Sequence, residues 1–247
     1  MTTIKEFNKY GEELENSLGL QTSPIAVKML EKEDDIPDGA IRPKKDRGYH
    51  LAQCQAFALS RRDRATVAML KEDNWCPGPI VAYGLVLRSD DPAGRAADAF
   101  DRFEYGKYIG ILTAPLRTAT FEPDAVIIYC DTNQLRIILL SLKMEDRPLV
   151  KSNFFPISCS NSVVPVILNG EYWINLPDPG EYARALTIAG EMIFSVPGEK
   201  LAELTVNLRQ FERNESGFQH EQMMMMPDFP QPDLYKRAFE AWGMDHD

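Results

Sequence analysis

Short, almost wholly apolar runs of about six residues, set apart by turns and by helix-patterned stretches, constrain this chain more than any other feature. Pro24 to Leu30 (PIAVKML), Ala65 to Leu70, Ala125 to Cys130 (AVIIYC) and Glu191 to Val196 (EMIFSV) read as buried strands. Phe154 to Cys159 and Glu171 to Leu176 read as two more. Helical spacing links Ile4, Phe7, Tyr10, Leu14 and Leu18, opened by a Thr3-x-x-Glu6 capping box and stopped by Gly19. Further helices are predicted from about His50 to Arg61, from Ile80 to Leu87, over 93–104, from Asn133 to Leu142, after Pro197-Gly198, and from Pro232 to Trp242. Residues 31–47, with two prolines and dense mixed charge, read as a solvated loop. Strands and helices mix without strict βαβ alternation. The fold class is therefore α+β (mixed α/β), a single large globular domain over 1–247 or two intimately packed α/β halves, 1–122 and 123–247.

Charge narrows the partners. The chain has 27 Lys and Arg against 37 Asp and Glu, a formal charge of −10. Proteins that coat nucleic acid or anionic membranes neutralise phosphates with clustered cations, and this chain has no basic block. Nucleic acid and membrane are thus not expected as partners. The first residues form no secretory signal, and the apolar runs are too short to span a bilayer, so a cytoplasmic location is expected. Four cysteines in 247 residues are too few for a disulfide scaffold and read as thiols or ligands. A homo-oligomer stays open.

Cys54 falls in a predicted helix, Cys76 in the turn Trp75-Cys76-Pro77-Gly78-Pro79, Cys130 at a strand end, and Cys159 between two serines. Proline after Cys76 fixes the backbone and suits a rigidly presented thiolate. The plain alternative is that each cysteine is a small buried hydrophobe. No Cys-x-x-Cys occurs, and the glycine-rich phosphate loops, the Gly-x-Ser-x-Gly elbow and His-Glu-x-x-His are missing. Ser158 to Ser162 is a polar run whose Ser160 and Asn161 could cradle an anion or cap the next helix. Arg184, beyond the Asp178-Pro179-Gly180 turn, could face a carboxylate or phosphate, or face solvent. Arg61-Arg62-Asp63-Arg64 reads as a solvated helix end, His220 with Met223 to Met226 as a flexible apolar segment, and His246 as exposed tail.

The segments SPIAVKML, WCPGPIVAYGLVL, EPDAVIIYCDTNQLRIILLSL, SCSNSVVP and GEMIFSVPGEKLAEL together resemble the DUF169 family of uncharacterised prokaryotic proteins, over about residues 20–212. The resemblance implies a cytoplasmic protein in which Cys54, Cys76 and Cys159 are shared thiols meeting at one site, with Cys130 outside the set; it supplies no reaction. Three such thiols would suit an iron–sulfur cluster with one open iron, or a zinc ion. His50 is the candidate fourth ligand, four residues before Cys54 on one predicted helix face. The expectation is a redox or metal-dependent enzyme, an oxidoreductase or lyase, acting on a small and possibly anionic substrate. Two alternatives stand beside it: a metal-free thiol enzyme with Cys76 as nucleophile, and a non-catalytic protein that binds an anionic metabolite.

Overall fold

The computed structural model describes residues 2–87, 97–142, 152–214 and 233–244, with the single positions 89, 150 and 231. Residues Met1–Glu212 form one compact unit and Arg213–Asp247 a second. Six strands, β1 (Ile25–Leu30), β2 (Val67–Leu70), β3 (Gly110–Pro115), β4 (Ala125–Cys130), β5 (Trp173–Asn175) and β6 (Met192–Pro197), make one sheet in the order β2-β3-β1-β4-β6-β5. Every neighbouring pair is antiparallel. Residues 1–122 supply three strands and 123–247 the other three, joined through β1 and β4, where Ala26 faces Val126. The mixed α+β class expected from the sequence is what the chain adopts.

Period-2 alternation sorts the strand residues between two cores. Ile25, Val27, Met29, Met69, Ile111, Ile127, Tyr129 and Ile193 point to one face. Ala26, Leu30, Leu112, Val126, Ile128, Cys130, Phe194 and Val196 point to the other. An antiparallel sheet often leaves one face in water. Here both faces are covered, which is why β1, β4 and β6 are almost unbroken apolar runs and every residue of β3 is buried.

The even-numbered face is roofed by α1 (Ile4–Leu18), α5 (Thr132–Leu142) and α9 (Leu201–Asn214) through residues such as Phe7, Leu14, Leu135, Ile138, Leu201 and Leu204. The Thr3 capping box forms, and Gly19 closes α1 in the left-handed conformation at φ 61°. The odd-numbered face carries α3 (Gln53–Asp63), α4 (Pro77–Ala82), α6 (Ser158–Asn161), α7 (Val164–Asn169) and α8 (Pro179–Arg184). In the second unit, α10 (Asp233–Ala241) carries no buried residue.

Several boundaries depart from the sequence reading. The helix expected from His50 begins at Gln53, because the Gln55 side chain accepts the Ala52 amide at 2.9 Å while Leu51 pairs with Asn74. The helix expected over Ile80 to Leu87 ends at Ala82: Gly84 takes φ +69°, and a Cβ there would stand 2.5 Å from the Glu104 carbonyl oxygen. Phe154 to Cys159 is not a strand; the Ser158 amide donates to the Asp178 carboxylate instead of to a ladder. Of the helix expected over 93–104, only Ala97–Ala99 forms a single turn, and part of it lies outside the described residues. The stretch 31–47 is anchored rather than solvated throughout: α2 (Pro43–Arg47) follows Arg42, whose buried guanidinium donates to Asp73 at 2.7 Å.

Candidate functional site

Three segments distant in sequence deliver Cys54, Cys76 and Cys159 to the odd-numbered side of the sheet. Cys54 sits in the first turn of α3, with its side chain in the core. Cys76 immediately precedes α4, whose first residue is Pro77, and it stays half-buried. Cys159 lies in the single-turn helix α6 and is buried. Helix α6 packs against both α3 and α4. Gly78 permits the second contact, since a Cβ there would come within 2.8 Å of Ile157, two residues before Cys159. Cys130, pointing to the even-numbered face, is on the far side of the sheet from the other three.

Electrostatics confirm how near these groups are. Burial pushes the Cys54 thiol up to about 11, with the Glu181 charge adding to the shift and the Arg184 guanidinium opposing it. Burial likewise raises Cys159, which also feels Cys54, Glu181 and Cys76. Tyr83, closing α4, is fully buried; desolvation raises its phenol, and all three cysteines act on it. Its hydroxyl has no hydrogen-bond partner among the described residues. Neither do both side-chain polar atoms of Gln53, next to Cys54, nor Asn74 Nδ2, two residues before Cys76. Buried polar atoms are nearly always satisfied, so orphans beside a thiol cluster are suited to an occupant.

Arg184 ends α8, and its guanidinium and the Cys54 and Cys76 thiols act on one another electrostatically, which raises the arginine. The guanidinium folds back over Gly180, where a Cβ would collide with Arg184 Nη2 and stand 2.9 Å from its Cζ. Among the described residues, no carboxylate pairs with Arg184 within salt-bridge distance. An apolar cleft of about 290 Å³, lined by Phe154, Phe155, Pro156 and Leu176, reaches the turn that starts α8 at Asp178.

Beneath α8 runs a polar seam that the sequence reading missed. Glu181 is fully buried and accepts from Tyr129 Oη at 2.9 Å and Thr187 Oγ1 at 3.0 Å. The Ser158 hydroxyl lies 3.1 Å from Glu181 and 3.0 Å from Asp178, and its single proton serves one of them at a time. Burial raises the Glu181 carboxyl above the usual carboxylate range. Arg61, read from the sequence as solvated, is 2% exposed and forks onto Glu191 at 2.7 and 3.3 Å. Its Cζ stands 3.8 Å over the Tyr129 ring. The only signal for this seam in the sequence is the Asp178-Pro179-Gly180-Glu181 start of a helix, which marks a cap but not a buried acid.

The remaining candidates are placed differently. His50 lies outside α3, so it shares no helix face with Cys54; its ring packs against Trp75 with centroids 4.5 Å apart and planes tilted by 41°. Ser160 and Asn161 are buried and donate within the fold, Ser160 Oγ to the Ile157 carbonyl and Asn161 Nδ2 to that of Asn153. They cap no following helix. His220, Met223 to Met226 and His246 lie outside the described residues. Among the described residues, no three His, Cys, Asp or Glu side chains are arranged to hold a metal ion, and no helix is long and apolar enough to cross a membrane.

One family model, DUF169, described as "Uncharacterised ArCR", matches residues 13–207. No curated protein and no solved structure matches the chain.

Proposed function

The chain belongs to the DUF169 family, and we propose that its chemistry resides at Cys54, Cys76 and Cys159, three thiols that take up an iron–sulfur cluster or a single zinc ion beside Arg184. In this reading the protein is a cytoplasmic redox or metal-dependent enzyme, and the guanidinium receives a small anionic substrate next to the cofactor. The observation that supports it is the delivery of one sulfur each from α3, the start of α4 and α6 to one side of one sheet.

The donor set suits a thiophilic group. Three soft sulfurs leave one coordination position open, as catalytic zinc sites and clusters with an open iron require. The Tyr83 hydroxyl, unpartnered among the described residues, would donate to a metal-bound sulfur and hold it in place. Binding requires Cys76, the most accessible of the three, to turn inward, because the thiols as they stand do not form a ligand set. Bound metal would supply Lewis-acid or electron-transfer chemistry; Arg184 would hold the substrate's anionic end.

A metal-free thiol enzyme is the second reading, favoured by that same lack of a ready ligand set and by the partial exposure of Cys76 alone. Anaerobic purification with iron, sulfide and zinc analysis decides between them. Stoichiometric metal in the wild type and in Cys130→Ser, lost in the Cys54→Ser, Cys76→Ser, Cys159→Ser triple variant, is the expected result. A folded, colourless protein that stays metal-free after reconstitution refutes the first reading.

A further inference from the structure

The loop after α1 and the C-terminal end of α3 enclose a polar cleft of about 240 Å³, and we propose that it is a binding site for a small oxyanion, independent of the thiol site. Arg61, Arg62 and Arg64 line it, together with Gln21, Thr22 and Ser23. Three cations in one small cleft are unexpected in a chain of formal charge −10.

The charges are not all spent inside the fold. Arg61 is committed to Glu191, Thr22 and Thr187. Glu15, the one acid lining the cleft, accepts from Arg117 through Oε2 at 2.8 Å, while its buried Oε1 has no partner among the described residues. Arg62 donates Nη2 to the Leu186 carbonyl at 2.7 Å and pairs loosely with Glu191 at 3.8 Å, which Arg61 already holds more closely. Its Nε is buried with no partner. Arg64, the left-handed cap of α3 at φ 58°, is exposed and pairs with no acid among the described residues. Favourable placement of cations at a helix C-terminus accounts for arginines being here. It does not account for a buried guanidinium N–H left without an acceptor, which costs free energy until something accepts from it.

The size and donors select the ligand. Sites for drug-sized ligands run about 300–1,000 Å³, so this cleft suits a single charged group and little else. Two guanidinium forks with flanking hydroxyl and amide groups match the several acceptor oxygens of a phosphate or of a carboxylate-bearing metabolite. Leu20 is the one apolar side chain among the residues that line the cleft.

Calorimetric titration of the whole protein with inorganic phosphate, and separately with malonate, tests the inference at constant ionic strength with chloride as the background anion. Saturable binding of either one is expected, with the better binder identifying the source of the oxyanion. Arg62→Gln and Arg64→Gln should each weaken it about tenfold or more, while Lys45→Gln, an exposed charge outside the cleft, should not. Arg64 is exposed, so its variant keeps the fold even if Arg62→Gln does not. Absence of saturable binding by both anions, or an Arg64→Gln titration identical to wild type, overturns the site.

Discussion

Timed alkylation of the metal-free protein should separate the gathered thiols by more than two orders of magnitude. Only the thiolate attacks iodoacetamide. With its thiol pushed up to about 11, Cys54 is ionised in roughly one molecule in a thousand at about pH 8. A thiol at the ordinary 9.0 would be ionised in about a tenth of molecules there, so the deficit is roughly 100-fold before burial limits access. Cys130, pushed up to about 12, falls another factor of about ten behind. Cys159 is shifted in the same direction and is buried as well. Cys76 alone keeps solvent access. Peptide mapping by mass spectrometry after alkylation at about pH 8 should therefore find label on Cys76 first. The Arg184 guanidinium lowers the Cys54 value, so Arg184→Gln should slow Cys54 further and leave Cys130 unchanged. Equal labelling of Cys54 and Cys76, or faster labelling of Cys54 in Arg184→Gln, would show that the burial and charge arrangement described for this site is wrong.

Two other outcomes follow from the buried ionisable groups. Glu191→Gln leaves Arg61 charged and unpaired at 2% exposure, so urea denaturation should report a loss of about 3–5 kcal/mol, while the double change Arg61→Met, Glu191→Leu should cost less than the two single changes added together. For the thiols, the folded state holds the Cys54 and Cys130 protons more tightly than the unfolded chain does, because both values lie above the ordinary 9.0. Stability present below about pH 9 should then decline as pH rises toward 11 to 12, by roughly 3 kcal/mol for Cys54 at most; Cys130→Ala should flatten the profile, and a melting temperature unchanged across that window counts against the assignment.

How much of this could be read from the residues depended on which forces were local. α1 was legible to its last residue because the Thr3–Glu6 box and Gly19 are decided within one turn of chain. β1, β4 and β6 were legible because burial on both faces leaves an apolar run that needs no partner to be recognised. β3 was not found: Gly110, Thr113 and Pro115 dilute the run, and only pairing with both β1 and β2 makes it a strand. The start of α3 was misplaced by three residues because a non-local pairing of Leu51 with Asn74 holds the chain extended up to Ala52. At the candidate site, the resemblance singles out Cys54, Cys76 and Cys159 and sets Cys130 apart, and strand parity places Cys130 on the other face of the sheet. Arg61 and Glu181 were misread or missed because nothing in their neighbours announces burial. Glu191 lies 130 residues from Arg61, and Tyr129 lies 52 from Glu181.

Those two buried residues also bear on how the thiols behave. Glu191, Arg61, Tyr129 and Glu181 form a continuous chain of ion pair, ring contact and hydrogen bond whose last member acts electrostatically on Cys54 and Cys159. Its last member is an acid whose negative charge adds to desolvation in keeping both thiols protonated. Arg184 works against it, but only from the exposed side and most strongly on Cys54. Cys54 and Cys159 are therefore biased toward neutral, unreactive sulfur, while Cys76 is the one of the three with partial exposure. A thiophilic cation would invert that balance: each sulfur it binds must surrender a proton, and the Glu181 charge that opposes a bare thiolate favours a cation in its place. Uptake of a metal ion as proposed would therefore be coupled to proton release from the thiols it takes.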